Sequence, residues 1–390
     1  MSGSLEWLII GGGIHGVHIA ARLLGETGVA PGRLRIVDPG DRLLERWRIC
    51  ADTIGMTRLR SPSVHHLDLN PRSLSYFASR RHRRRRENKP FAGVYDRPSL
   101  ALFNAHSDHV LKTFGLPDLH IQDRATEGSV DSDGVEITLS SGRKIATRNV
   151  VLAVGGGEQP EWPNWASRNV SGVHHVFDPS FDGWPSTTET VAVLGGGLSA
   201  AQTALRLKSE GHRVHMVSRH ALREHRFDSA PGWLGPKYMV GFNREKDLAR
   251  RRAIITEARH RGSVPRGVRI ALCGAAARNQ IHWHEGEVEA GDRQSDALAL
   301  RLKTHQLLHV DRVLLATGFS ALRPGGSVVE TLIASASLPC ASCGYPIVDT
   351  QLRWHPRIRV SGPLAELELG PVARNIAGAR RAGDRLVGVA

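Results

Sequence analysis

The sequence predicts an α/β chain of two doubly wound halves, each carrying an antiparallel meander. Three observations predict it. The apolar run Trp7-Leu8-Ile9-Ile10 ends in the loop Gly11-Gly12-Gly13-Ile14-His15-Gly16, and helical spacing follows from Val17 to Leu24. The same order returns at Val191-Ala192-Val193-Leu194, Gly195-Gly196-Gly197-Leu198-Ser199-Ala200 and a helix through Ala204 and Leu207. After each loop, alternating apolar stretches lead to a buried strand capped by glycine, Val150 to Gly156 and Val313 to Phe319. Two independent occurrences of that order are improbable, so the chain reads as an internal structural repeat.

The first loop has the G-x-G-x-x-G spacing of a dinucleotide site. Gly11 permits a tight turn, Gly13 allows backbone to approach a pyrophosphate, and Gly16 lets the helix pack on the strand, with Ile14 and His15 in the helix's first turn. A second strand, Leu34-Arg35-Ile36-Val37, ends in Asp38, 22 residues beyond Gly16. A carboxylate there accepts hydrogen bonds from a ribose, which suits the unphosphorylated adenosine of FAD. Asp38 to Pro62 shows no clean period and reads as a loop or short helices; it includes Trp47, a cofactor-site candidate, and Arg58, Arg60 and Ser61, which could line a flavin face or form only a polar cover. A helix follows over Pro98 to Leu111, then strands at 120–122, 134–139 and 144–145, and the glycine cap at Gly155.

Residues 159–188, with Pro160, Pro163, Pro179 and Pro185, read as a linker. In the second half, Gly195, Gly197, Leu198, Ser199 and Ala200 form the loop, and the strand after the helix ends in Ser218-Arg219 where the first half has an acid. Hydroxyl and guanidinium groups attract a 2′-phosphate that a carboxylate would repel, so this half reads as an NADPH site. The bland alternative is an exposed arginine. The expected domains are 1–158 and 316–390 for FAD, and 189–315 for NADPH with an insertion at about 227–265.

Bulk composition bounds the rest. The 390 residues suffice for two or three domains, and 41% hydrophobic content is ordinary for a globular protein. No apolar stretch reaches membrane-spanning length and no signal peptide is evident, so a cytoplasmic protein without membrane contact is expected. Four cysteines exclude a secreted disulfide scaffold. The net charge of +14 is concentrated in Arg80 to Arg86. Without interleaved aromatic residues, this run reads as a solvated loop and not as a nucleic-acid grip. His65-His66 and His282/His284 lack companions at zinc spacing, so no metal is expected.

The paired loops resemble those of the two-dinucleotide-binding flavoproteins, over most of the chain. Gly195 to Gln202 is similar to the G-G-G-Q-S-A-A-E motif of the microbial ornithine and lysine N-hydroxylases, and Asp311 to Phe319 matches the D-x-x-x-[LF]-A-T-G-[YF] pattern that they share with flavin-containing monooxygenases. His174-His175-Val176-Phe177 resembles the linker fingerprint F-x-G-x-x-x-H loosely, with Val170 in place of the aromatic residue. The resemblance implies a glutathione-reductase-type fold, with Thr317 and Gly318 at the cofactor. It also implies that NADPH reduces FAD, which reacts with O₂ to a C4a-hydroperoxyflavin that oxygenates nitrogen or sulfur in a small-molecule substrate. Phe227 to Asn243 falls where those enzymes carry a substrate-binding insertion, but no residue set for the α-amino and carboxylate groups of ornithine or lysine is present, and no catalytic residue is singled out. The resemblance further implies a C-terminal helix opening at Gly370-Pro371, its N-terminus aimed at the flavin. Two rivals stay open: a thiol-disulfide flavoenzyme using Cys340-Ala341-Ser342-Cys343, and a binding or sensor protein that retains FAD without turnover.

Overall fold

The computed structural model describes residues 5–84, 90–294 and 297–388. Leu5–Ile10 (β1) feeds the first glycine loop and Ile14–Glu26 (α1), and the chain returns in Leu34–Asp38 (β2). Glu45–Thr53 (α2) and Ser73–Arg84 (α3) precede a short ribbon of Phe91–Ala92 (β3) and Arg97–Pro98 (β4). Ser99 caps the next helix, Leu100–Thr113 (α4), by accepting from the Leu102 N–H at 3.2 Å, so that helix starts two residues after Pro98. His120–Gln122 (β5), Ala125–Val130 (β6), Val135–Leu139 (β7) and Lys144–Leu152 (β8) follow.

The second half opens with Val173–His175 (β9), Thr190–Leu194 (β10), Leu198–Ser209 (α5) and Arg213–Ser218 (β11). An inserted segment holds Arg223–Glu224 (β12), Pro236–Arg244 (α6), Leu248–Ala258 (α7) and Ser263–Val264 (β13). Then come Arg266–Ala277 (α8), Ile281–Glu285 (β14), the meander Val288–Gln294 (β15), Ala297–Leu302 (β16) and Leu307–Val310 (β17), and Arg312–Leu315 (β18). Gly326–Ala336 (α9), Arg353–His355 (β19), Ile358–Val360 (β20), Glu366–Leu369 (α10) and Ile376–Val387 (α11) complete the chain.

The path β20-β8-β1-β2-β5 is parallel throughout, with Ile9 opposite both Ile36 and Val151. Trp7–Ile10 and Val150–Leu152 are buried, as strands covered on both faces require. The second sheet, β14-β11-β10-β18-β9, is also parallel. The two meanders differ: β6-β7 extends from β8 of the first sheet, whereas β15-β16-β17 is a separate sheet. Because β20 pairs with β8, the C-terminal segment returns to the first sheet. The halves also interlock, since Ile54 from the first half is buried in the core formed by α5, α8 and the second sheet.

Three expectations are corrected. Residues 159–188 are not only a linker: Val173 and His175 are buried and β9 forms the edge of the second sheet, a strand too short to show a period in sequence. The arginine run does not begin as a loop, because α3 extends through Arg84; Arg85 and Arg86 lie outside the described residues. The last helix starts at Ile376, not at Gly370-Pro371. Gly370, at φ +77°, instead ends α10, its N–H bonded to the Glu366 carbonyl at 2.9 Å, and residues 371–375 form a turn. Among the described residues, no helix is long and apolar enough to cross a membrane.

Candidate active site

Both glycine loops open on one cavity of about 2700 Å³. The first loop is shaped by packing. A Cβ on Gly16 would lie 1.8 Å from the Gly11 carbonyl oxygen, so only glycine lets α1 meet the loop. Gly11, at φ +108°, has Ala153 O 2.7 Å from where its Cβ would stand. Gly13 differs, because a Cβ there would meet nothing within 4 Å. Its open side is a cradle onto the cavity at the N-terminus of α1, where no side chain caps the helix. Ile14 and His15 line the cavity too.

Asp38, at the end of β2, accepts from the Gly12 N–H at 2.6 Å and from the Gly40 N–H at 2.9 Å, one on each oxygen. Each oxygen keeps a lone pair for a ribose hydroxyl. His15 is buried, its Nδ1 2.8 Å from Ser361 Oγ. Burial pushes its pKa down to about 4 against the backbone of Arg374 and Asn375, so the ring is neutral. Its Nε2 is a buried polar atom with no hydrogen bond of normal geometry. An open cradle, an oriented carboxylate and an orphaned ring nitrogen on one wall fit a dinucleotide such as FAD.

Trp47 lines the same wall, its Nε1 donating to Asn104 Oδ1 at 3.1 Å, and Gly155 lies at the end of β8. Arg46, which the sequence did not single out, donates to the carbonyls of Gly157 and Phe177 and so ties the two halves behind the cavity. Arg124 and Glu158 form a two-point pair at 2.7 and 2.8 Å on the rim. Of the candidate flavin-face residues, Arg60 and Ser61 line this cavity and Arg58 does not. Arg60 crosses to the insertion, donating to the carbonyls of His225 and Phe227, both at 2.7 Å, and to Ser263 Oγ at 3.0 Å.

In the second loop, a Cβ on Gly195 would lie 2.5 Å from Ala316 O, which repeats the role of Gly11. Gly197, Leu198 and Ser199 line the cavity, while Ala200 is fully buried beneath them. Gly197 faces Gly262, whose Cα would be 3.6 Å from an added Cβ, so the insertion covers this loop. Ser218 does not present its hydroxyl to the cavity. It is buried, donates to His220 O at 2.9 Å and accepts from Trp283 Nε1 at 2.9 Å. Arg219 is exposed on the cavity wall near Arg223. Glu287 and Lys303, from the second meander, reach the same end, paired at 2.6 Å. Lys303 and then Arg219 hold the Glu287 carboxyl below the usual range. These two residues carry no motif, and only the pairing of β14 beside β11 brings them to Arg219.

Thr317 and Gly318 line the cavity at the end of β18. Thr317 donates to the Glu161 carbonyl and accepts from His175 Nε2 at 3.1 Å, while His175 Nδ1 accepts the Phe177 N–H, which fixes the tautomer. Gly370 and Pro371 are buried away from the cavity; Arg374, Asn375, Ile376 and Ala377 line it in their place. A helix N-terminus therefore does meet the cavity, one turn and a half later in the chain than expected. Cys340 and Cys343 are exposed in a turn outside the cavity, and among the described residues no cysteine lines it.

The family described as FAD-NAD(P)-binding matches residues 8–157, and that described as pyridine nucleotide-disulphide oxidoreductase matches residues 93–264. No curated protein matches the sequence. Solved structures match it over nearly its whole length. The ornithine N-hydroxylase from Kutzneria sp. 744 aligns with a TM-score of 0.80 at 16% identity, covering 99% of this chain and 98% of that one. The cadaverine monooxygenase of desferrioxamine biosynthesis from Erwinia amylovora gives 0.75 at 14% identity, covering 98% and 93%. A bacillithiol disulfide reductase from Staphylococcus aureus gives 0.64 at 15% identity, covering 99% and 98%. The chain thus has the fold of the two-dinucleotide-binding flavoproteins, the fold of the ornithine N-hydroxylases and flavin monooxygenases.

Proposed function

We propose that this protein is an FAD- and NADPH-dependent monooxygenase that inserts one oxygen atom of O₂ into a nitrogen or sulfur centre of a small molecule. The observation that carries the reading is the single cavity: both glycine loops open on it and no described cysteine lines it. A reductase that passes electrons to a resident dithiol needs that dithiol beside the flavin, and Cys340/Cys343 are elsewhere. The ornithine N-hydroxylase and flavin monooxygenase folds that the chain shares support the choice of oxygenation.

Bound FAD would supply hydride acceptance from NADPH and activation of O₂. The chain's own residues bind and enclose. The backbone at Gly13 and the N-terminus of α1 hold a pyrophosphate, and Asp38 holds the ribose. Arg219, Arg223 and Lys303 offer cations to a 2′-phosphate. Tyr95 and Phe227, in edge-to-face contact at 5.1 Å, and the exposed Val64 and Leu234 offer the cavity apolar surface against which a substrate can pack.

The test is stoichiometry in air with a panel of primary amines and thioethers. A monooxygenase consumes NADPH and O₂ equally and releases far less H₂O₂ once its substrate is present. One H₂O₂ per NADPH with every compound would indicate an oxidase. NADPH consumption that persists without O₂ and requires a disulfide would replace the reading with the reductase.

A further inference from the structure

Beside the main cavity lies a second one of about 610 Å³, a size that suits a small molecule. It sits at the junction of the two halves. Its floor is a face of α5, through Gln202 and Arg206, and the start of α8 at Pro265 and Gly267. Its roof is the 55–60 loop and Arg97 of β4. Among the described residues four arginines line it, Arg58, Arg60, Arg97 and Arg206, against the one carboxylate of Asp52.

These cations are not equally satisfied. Arg206 donates to the carbonyls of Asp52 and Thr53 at 2.7 and 3.1 Å and pairs with Glu210 at 2.9 Å. Arg60 is held by the carbonyls of the insertion, as above, and Arg58 reaches the Pro90 carbonyl at 3.5 Å. The half-buried Arg97 guanidinium has no acceptor among the described residues. Burial, and then Arg58 and Arg226 beside it, hold it below the usual arginine range. Gln202 also lines the cavity, but its unpaired carboxamide oxygen is sealed within the packing of α5 and does not open on it. Pro265 occupies the cap position of α8, and no side chain caps that helix. The cavity is therefore electropositive among the described residues, and Arg97 brings a charge that no described acceptor meets.

We propose that this second cavity binds a small oxyanion, its charge held by Arg97 beside Arg58 and Arg60. Phosphate monoesters and small carboxylates share this chemistry. The site shares walls with the main cavity at Met56, Leu59, Arg60 and Leu198, the last from the second glycine loop, and is lined by none of that loop's glycines. A ligand there bridges the first half's loop to α5 and α8, so its binding stabilises the relative placement of the two halves.

Inorganic phosphate, a small oxyanion, is the probe. Calorimetric titration of the full chain is run against chloride at equal ionic strength. Binding should be saturable in the parent, about tenfold weaker or worse in Arg97→Gln, and unchanged in Lys303→Ala, which alters the cofactor cavity instead. Because Arg97 has no described acceptor to lose and stands near like charges, Arg97→Gln should melt no lower than the parent without phosphate. The proposal is overturned by equal affinity in Arg97→Gln, by loss of binding in Lys303→Ala alone, by titrations that chloride reproduces, or by an Arg97→Gln protein that melts lower. Malate and glycerol 3-phosphate, titrated in the same way, then separate carboxylate from phosphate ligands.

Discussion

Mild acid should destabilise this protein through buried histidines, and His18 offers the cleanest measurement. His18 lies on α1 with no exposed surface, its Nδ1 donating to the Leu67 carbonyl at 2.8 Å. Its Nε2 has no partner, and α11 closes over it so tightly that a Cβ on Gly383 would stand 3.0 Å away. Burial pushes its pKa down to about 3; Arg380, Arg22 and His15 add to this, and the Leu67 carbonyl opposes it. The unfolded ring titrates near 6.5, so between these values the unfolded chain takes up a proton that the folded chain refuses. Stability is therefore whole above pH 6.5, falls by about 1.4 kcal/mol per unit below it, and levels off near the folded value. At pH 5 the loss from His18 alone is about 2 kcal/mol, a large share of a typical total of about 5–15 kcal/mol. Urea unfolding of the parent and His18→Gln from pH 7.5 to 4.5 measures it. The variant is expected to start less stable but to lose about 1.4 kcal/mol less per unit below pH 6. Parallel curves would refute the argument. His66, His106 and His175 are equally buried, with values near 4, 3 and 4, so the parent curve should be steeper than one proton allows.

Other outcomes follow from the cofactor cavity. Gly13→Ala should fold, since its Cβ meets nothing, yet lose FAD; Gly16→Ala should fail to fold, and flavin content with circular dichroism distinguishes the two. A folded Gly13→Ala protein with full flavin would remove the pyrophosphate assignment. Arg219→Asp should lower kcat/KM for NADPH about thirtyfold more than for NADH, the loss of a charge-assisted contact of about 2 kcal/mol. Glu287→Gln should move the ratio the other way by releasing Lys303 and Arg219, and steady-state kinetics with both nucleotides reads each change. Replacing Cys340 and Cys343 by serine should leave NADPH-dependent flavin reduction near the parent rate in stopped flow; loss of reduction with flavin retained would restore the dithiol relay.

The sequence alone determined what depends on near neighbours. An apolar run, glycines at fixed spacing and a helical period specify each strand-loop-helix unit, and Asp38 ends its strand whatever the rest of the chain does. The doubling of that unit was legible for the same reason. Tertiary structure decided whatever depends on distant partners. Ser218 looks like a ligand beside Arg219, but Trp283, 65 residues away, takes its hydroxyl. Pro371 looks like a helix start, but positive φ at Gly370 and the pairing of Glu366 with Arg252 and Arg374 hold that segment in a buried turn. Glu287, Lys303 and Arg97 carry no local signal, since their roles arise only where separate elements place charges within reach. Spacing along a chain encodes backbone geometry over a few residues, whereas the partner of a side chain is set by packing across the whole fold.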